Sequence, residues 1–347
     1  MTRIAIVGAN GQVGAEVCLR LRQAEGVEVV PIIRNPSGSA FLRLNGMTCR
    51  HGGISDASAA RHLIGDCDAV VNFALSTTSV PRTDREANRR IVRGVAAGAK
   101  LGAPIIFAST MMVYAPGTKF RVPDAYGFEK LAAERMIARL CRGSHPLFVF
   151  RLGHVLGELQ NLTRKIKSEI REQKVALPRD GAIASNTVFS STLVEAILQA
   201  ARSAQTPGTY DLITSPQWPW RDVYQHYASH LGLPLILREG YDPAAAQAGA
   251  NGPLRRWLSY LRRSQSLRER LLFLLAYLPQ DMNQRIYLRY LQNRAAVEIG
   301  ALRQSQKTPF CMPQWRELRL RPMPGLEDPM ALESRYPLRC TVGSPSR

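Results

Sequence analysis

The sequence predicts an α/β protein: a doubly wound parallel sheet, a smaller second domain and a basic helical appendage toward the C-terminal end. Three observations carry that expectation. In the first half, short runs rich in Val and Ile alternate with longer helical stretches, as in parallel strands joined by crossovers and covered on both faces. A glycine-spaced turn separates the first strand from the first helix. Past residue 250 the composition shifts to Arg and Leu at helical spacing.

Strands are expected at residues 3–7, 27–33, 69–73, 105–109 and 147–151, with helices at 13–23, 86–101 and 128–140. Together they make a first domain over residues 1–158. Residues 159–245 read as a second region that partly returns to the sheet. It holds a basic stretch at 164–174 and a strand–helix pair at 208–231. Small residues at 241–253 resemble a linker. Basic amphipathic helices follow in 251–304, and the Pro-rich tail 305–347 reads as poorly ordered. No internal repeat is evident.

The chain of 347 residues is 45% hydrophobic, enough for a substantial core, and carries 46 Lys+Arg against 27 Asp+Glu. A net charge of +19 suits an anionic partner: a phosphorylated substrate, an acidic membrane surface or nucleic acid. The six cysteines are scattered, without CxxC or zinc spacing. That argues against a disulfide framework and a structural metal, and fits a reducing compartment. The longest strong apolar run, residues 271–278, is far shorter than the ~18 residues of a spanning helix. The apolar run at 4–7 is too short for a signal peptide, so a cytoplasmic protein is expected.

Gly8, Ala9, Asn10, Gly11, Gln12, Val13 and Gly14 follow the first strand and open the first helix. Glycines let backbone approach a pyrophosphate closely, and the helix N-terminus offers unpaired N–H groups and positive dipole. A dinucleotide is the expected cofactor. Where an acidic residue after the second strand would bind the ribose hydroxyls of NAD, this chain has Arg34. A guanidinium suits a 2′-phosphate, which favours NADP over NAD.

Tyr126 and Lys130 lie four residues apart, on one helix face. A phenol with a pKa of about 10 needs nearby positive charge to act as a base at neutral pH, and Lys130 supplies it. Just upstream, the strand at 105–109 ends in the hydroxyls of Ser109 and Thr110.

The order of glycine loop, strand ending in Ser-Thr, and YxxxK resembles the extended short-chain dehydrogenase/reductases, the NAD-dependent epimerase/dehydratase family. Val70 to Leu75 is similar to that family's fourth strand, and Asn88 sits where its next helix often has Asn. Arg151 to Gly157 is similar to its Arg-containing segment, and 208–213 with 220–232 to its late strand–helix pair. The resemblance spans about residues 3–235 and leaves 250–347 outside. It implies a Rossmann-like sheet with a smaller substrate domain. It assigns Thr110, Tyr126 and Lys130 to catalysis, with Tyr126 as acid/base. The cofactor would lie on Gly8, Asn10, Gly11, Gln12, Val13, Gly14, Arg34, Ala74 and Lys130, and the substrate on His154.

Three departures narrow the activity. Met111 and Met112 occupy the places of the dehydratases' Asp and Glu and cannot transfer a proton, which argues against a 4,6-dehydratase. Gly53 stands where the family often has an adenine-contacting Asp, with Asp56 nearby. Ala115 replaces the common Gly after Tyr114. The implied function is an NAD(P)-dependent oxidoreductase or epimerase acting on a nucleotide-activated sugar, whose diphosphate would suit the 164–174 stretch. The alternatives are an NADPH-dependent carbonyl reductase or hydroxy-compound dehydrogenase on a non-sugar substrate, and a non-catalytic dinucleotide sensor.

In 251–347, 17 Lys+Arg face 7 Asp+Glu. The pattern Leu254, Trp257, Leu258, Leu261 among arginines allows packing against the substrate domain or a dimer partner, or peripheral contact of 254–294 with a membrane. No nucleic-acid motif accompanies the charge, and a homodimer is the family's habit.

Overall fold

The computed structural model describes residues 1–34, 36–75, 81–114, 125–238, 282 and 322–339. Its centre is a seven-stranded parallel sheet of β1 (Thr2–Val7), β2 (Val27–Ile33), β3 (Arg50–His51), β4 (Ala69–Asn72), β5 (Ile105–Thr110), β6 (Leu147–Leu152) and β9 (Gly208–Leu212). The order across the sheet is β3-β2-β1-β4-β5-β6-β9. β7 (His154–Leu156) and β8 (Thr187–Phe189) form a separate parallel pair. The five expected strands are all present, within a residue of their expected ends.

Both faces of the sheet are apolar because side chains alternate along each strand. Ile4 and Ile6 enter a core with Val17, Leu19 and Leu21 of α1 (Gln12–Leu21) and Leu193, Ile197 and Ala200 of α7 (Ser190–Ala201). On the other face, Ala5 and Val7 meet Leu63 of α3 (Ala57–Ile64), Val92 and Val95 of α4 (Pro81–Gly98), and Ile137 of α5 (Ala125–Cys141). A third core joins α6 (Asn161–Arg171) to α8 (Trp220–Leu231), with Ile166, Ile170, Val223 and Tyr227 buried beside β7 and β8. The two remaining helices among the described residues are short: α2 (Ala40–Leu44) and α9 (Pro329–Arg335).

Five of the described helices were not expected as such, the short α2 and α9 among them. α3 starts where Asp56 caps its first turn, accepting from the amide of Ala59 at 2.9 Å. α6 holds the basic stretch, and α7 covers the sheet. The expected disorder of the tail needs correction for residues 322–339. Met323, Leu332 and Tyr336 are buried in the first core, α9 packs on α7, and Pro322 bridges to Asp211 beside β9. The apolar positions of a single two-turn helix are too few to show as a period in sequence. The appendage helices expected within 254–294 lie outside the described residues, Met282 aside. Among the described residues, no helix is long and apolar enough to cross a membrane.

A buried polar knot ties α9 to α1. Glu16 is fully buried and accepts from Arg20, from the amides of Glu158 and Leu159, from Gln160 and from Ser190. Arg20 reaches the carbonyl of Tyr336 at 2.6 Å and the Glu333 carboxylate at 2.9 Å.

Candidate functional site

Strand order reverses between β1 and β4, so their C-terminal ends diverge and open a crevice. The glycine loop follows β1 there, and Ala74 follows β4. Gly8 has φ +84°, and a Cβ on it would stand 2.7 Å from the amide nitrogen of Ala74. A Cβ on Gly14 would stand 2.4 Å from the carbonyl oxygen of Gly8. The fold itself therefore demands glycine at both positions. Gly11 is different: its Cβ would meet only the Gly8 oxygen, at 3.4 Å. As N-cap of α1 it offers no side chain to the first-turn amides. The fold thus leaves the loop open at Gly11, with room for a pyrophosphate group to approach beside Asn10, Gln12 and Val13. Arg34 lies exposed just past β2, at the same end of the sheet.

At the end of β5, Thr110 accepts from the Met112 amide at 3.2 Å and caps a short turn. Lys130 of α5 is buried, and its Nζ donates to the carbonyl of Ala108 at 2.8 Å. The helix is thereby fastened to the strand two residues before Thr110. Burial pulls the Lys130 ammonium down to about 8, while Glu134 opposes the shift. Tyr126, one turn earlier on α5, is 42% exposed.

Beneath this end of the sheet lies a network that sequence reasoning missed. Glu134 accepts from Ser109 and receives Arg151 at 3.1 and 2.8 Å. Arg151 also donates to the Tyr114 hydroxyl at 2.6 Å, which donates to Asp211 at 2.8 Å. Burial and Asp211 push the Tyr114 phenol up to about 12, so it stays protonated and donates. Glu134 was within reach of sequence analysis, since 126, 130 and 134 are successive i, i+4 positions.

His154 sits in β7 with its ring 5.6 Å from that of Trp220. Burial pushes its imidazole down to about 4, so it is neutral at ordinary pH. Three of the five basic residues of the 164–174 stretch meet glutamates: Lys165 pairs with Glu169, Lys167 with Glu158 and Lys174 with Glu172, at 3.7, 2.8 and 2.7 Å. Tyr224 and Tyr227 of α8 are buried, and burial raises the Tyr227 phenol, the opposite of what a base requires.

Open α/β sheets that reverse order at a glycine loop hold nucleotides in the crevice there. This chain falls in that class of dinucleotide-binding proteins. The family model for the NAD dependent epimerase/dehydratase family matches residues 4–212. The chain belongs to that family and is an oxidoreductase or epimerase by class.

A curated relative, the spore coat polysaccharide biosynthesis protein SpsK of Bacillus subtilis, is 26% identical over 255 residues. The match covers 68% of this chain and 82% of that protein. Among solved structures, the Bordetella bronchiseptica enzyme WbmG in complex with NAD is 17% identical with a TM-score of 0.53, covering 70% of this chain and 82% of that one. UDP-glucose 4-epimerase of Thermotoga maritima with UDP-glucose is also 17% identical, with a TM-score of 0.52 and coverage of 70% and 87%. At this identity the likeness is one of fold.

Proposed function

We propose that this chain transfers hydride between a nicotinamide dinucleotide and a carbinol or carbonyl carbon of a nucleotide-activated sugar, with Tyr126 as the acid/base. The observation that carries the reading is the Lys130 ammonium, buried and bonded to β5 one helical turn beyond the exposed Tyr126 phenol. A fixed cation there stabilises the phenolate that a phenol must form to accept a proton near neutral pH. Thr110, at the end of β5, would hold the reacting oxygen, while Tyr126 takes or returns its proton.

When bound on Gly8, Asn10, Gly11, Gln12, Val13, Gly14, Ala74 and Lys130, the dinucleotide supplies the hydride acceptor. Arg34 supports NADP over NAD. The NAD in the structures of relatives weighs the other way. Support for the sugar class comes from relatives described with UDP-sugars and from one in polysaccharide synthesis. His154, neutral, would serve the substrate as a hydrogen-bonding group rather than a charge. Met111 and Met112 leave water elimination without a proton carrier, so epimerisation or reduction is the chemistry that remains. The free cysteines Cys18, Cys49, Cys67 and Cys141 suit a reducing, cytoplasmic setting.

The test begins with the nucleotide released from purified protein by denaturation. Retained dinucleotide near one per chain, with no net consumption during turnover, supports an epimerase. Reversible binding with a preference for NADPH supports the carbonyl reductase favoured by Arg34. Failure to bind either nucleotide overturns the assignment of the loop. Tyr126→Phe should retain the dinucleotide and lose about 10²–10⁴-fold in turnover; full activity in that variant would leave Tyr126 without the role.

A further inference from the structure

A cleft between α1, α6, α8 and α9 is a concave surface that the hydride chemistry does not use. It encloses about 110 Å³, close to the ~150 Å³ in which an apolar cavity takes one benzene ring. Gly11 is the N-cap of α1, whereas Arg20, in its last turn, lines the cleft. The two lie about 13 Å apart along the helix axis. None of Thr110, Tyr126 and Lys130 lines it. The cleft therefore stands apart from the dinucleotide crevice.

Its wall is apolar at Phe189 of β8, Tyr227 of α8 and Met330 of α9. Its cations are already answered. Lys167 holds both oxygens of Glu158 at 2.8 and 2.9 Å, and Arg20 holds Glu16 and Glu333 at 3.1 and 2.9 Å. Beside them, hydrogen-bonding capacity is left over. The His226 ring packs 5.7 Å from that of Phe189 and 5.5 Å from that of Trp218, and makes no hydrogen bond among the described residues. Burial, with His230 and Lys167 close by, pulls its imidazole down to about 4. At neutral pH one of its nitrogens therefore donates and the other accepts. His230 donates from Nδ1 to the His226 carbonyl at 2.8 Å, which leaves Nε2 of the neutral ring as an acceptor. One carboxylate oxygen of Glu333 has no hydrogen-bond partner among the described residues.

A hydroxyl, like a neutral imidazole, is both donor and acceptor. A sugar ring carries hydroxyls around its edge and C–H groups on its faces. We propose that this cleft binds a neutral monosaccharide unit, its ring against Phe189, Tyr227 and Met330 and its hydroxyls on His226, His230 and Glu333. An anion would find Lys167 and Arg20 taken, and an ammonium ion would face those same two cations. A metal ion is served less well still, since no three His, Cys, Asp or Glu among the described residues are placed to hold one. Because Met330 and Glu333 belong to α9, a bound sugar would tie the C-terminal segment to α1 and α8. Binding there is independent of the hydride chemistry.

The test is a saturation-transfer NMR titration of the full chain with the methyl glycosides of glucose, galactose and N-acetylglucosamine. At least one should bind saturably and raise the thermal midpoint. His226→Phe keeps an aromatic ring in place and removes both nitrogens. It should weaken that glycoside about tenfold or more while dinucleotide binding is unchanged. Where it fails to fold, His230→Ala, at an exposed position, should still weaken binding roughly threefold. Absence of saturable binding would overturn the proposal. So would binding that the variants leave unchanged, which would place the sugar in the crevice at Thr110 and Tyr126. Tighter binding of inorganic phosphate or glycine betaine than of every glycoside would overturn it as well.

Discussion

The Glu134 carboxylate stands one helical turn beyond Lys130 and is gripped by Arg151 through two hydrogen bonds. One acid therefore serves two tasks. It holds the α5 helix against β5 and β6 through Ser109 and Arg151, and its charge keeps the Lys130 ammonium from losing its proton still earlier.

That relationship sets a pH dependence. Lys130 is charged below about 8 and neutral above, so a rate that needs its charge should fall as pH rises through that value. Glu134→Gln keeps the shape and removes the charge that opposes the shift, so the alkaline limb should move to lower pH. The kcat profile of the two proteins decides the matter; coincident alkaline limbs would deny the coupling.

Gly11 and Gly14 should respond oppositely to a single methyl group. Gly11→Ala meets only one backbone oxygen at 3.4 Å, so the thermal midpoint should barely move while dinucleotide Kd rises about tenfold or more. Gly14→Ala drives a Cβ to 2.4 Å from the Gly8 oxygen and should destabilise by about 2 kcal/mol or more. Calorimetry and a nucleotide titration separate the two effects.

Arg34→Ala should weaken NADPH about tenfold, the worth of one charge-assisted hydrogen bond of ~1.5 kcal/mol. NADH should change much less, lacking the 2′-phosphate. Equal losses for both nucleotides would remove Arg34 from the specificity determinants.

Breaking the Glu16–Arg20 pair should be costly, because both side chains are buried. Glu16→Ala leaves Arg20 with only Glu333 and Tyr336 and deprives two buried backbone amides, Gln160 and Ser190 of the carboxylate they donate to. About 3–5 kcal/mol should be lost, read as a lower urea midpoint. A variant within 1 kcal/mol of the wild type would mean that water replaces the carboxylate.

The sheet was legible because each strand is an uninterrupted apolar run, as double coverage requires, and because the glycine loop falls where strand meets helix. Tyr126 and Lys130 were legible for a local reason: their geometry follows from a spacing of four on one helix. Glu16 and Asp211 were not. Each looks like an ordinary acidic residue until the fold delivers partners from 142 and 97 positions away, Glu158 and Tyr114. Residues 322–339 were misread because their contribution is a few apolar contacts spread over loop and short helix, which leave no periodic trace. At 164–174 the charge was legible but its pairing was not, since three of its five basic residues meet glutamates that the fold or a short turn brings beside them.

The link from Arg20 to Tyr336 spans 316 positions of the chain. Glu16 answers one side of the Arg20 guanidinium from within α1, while Glu333 and Tyr336 answer it from α9 and its end. Detaching α9 would withdraw the Tyr336 carbonyl and the Glu333 carboxylate from a buried cation, so this distant segment braces the helix that the glycine loop opens.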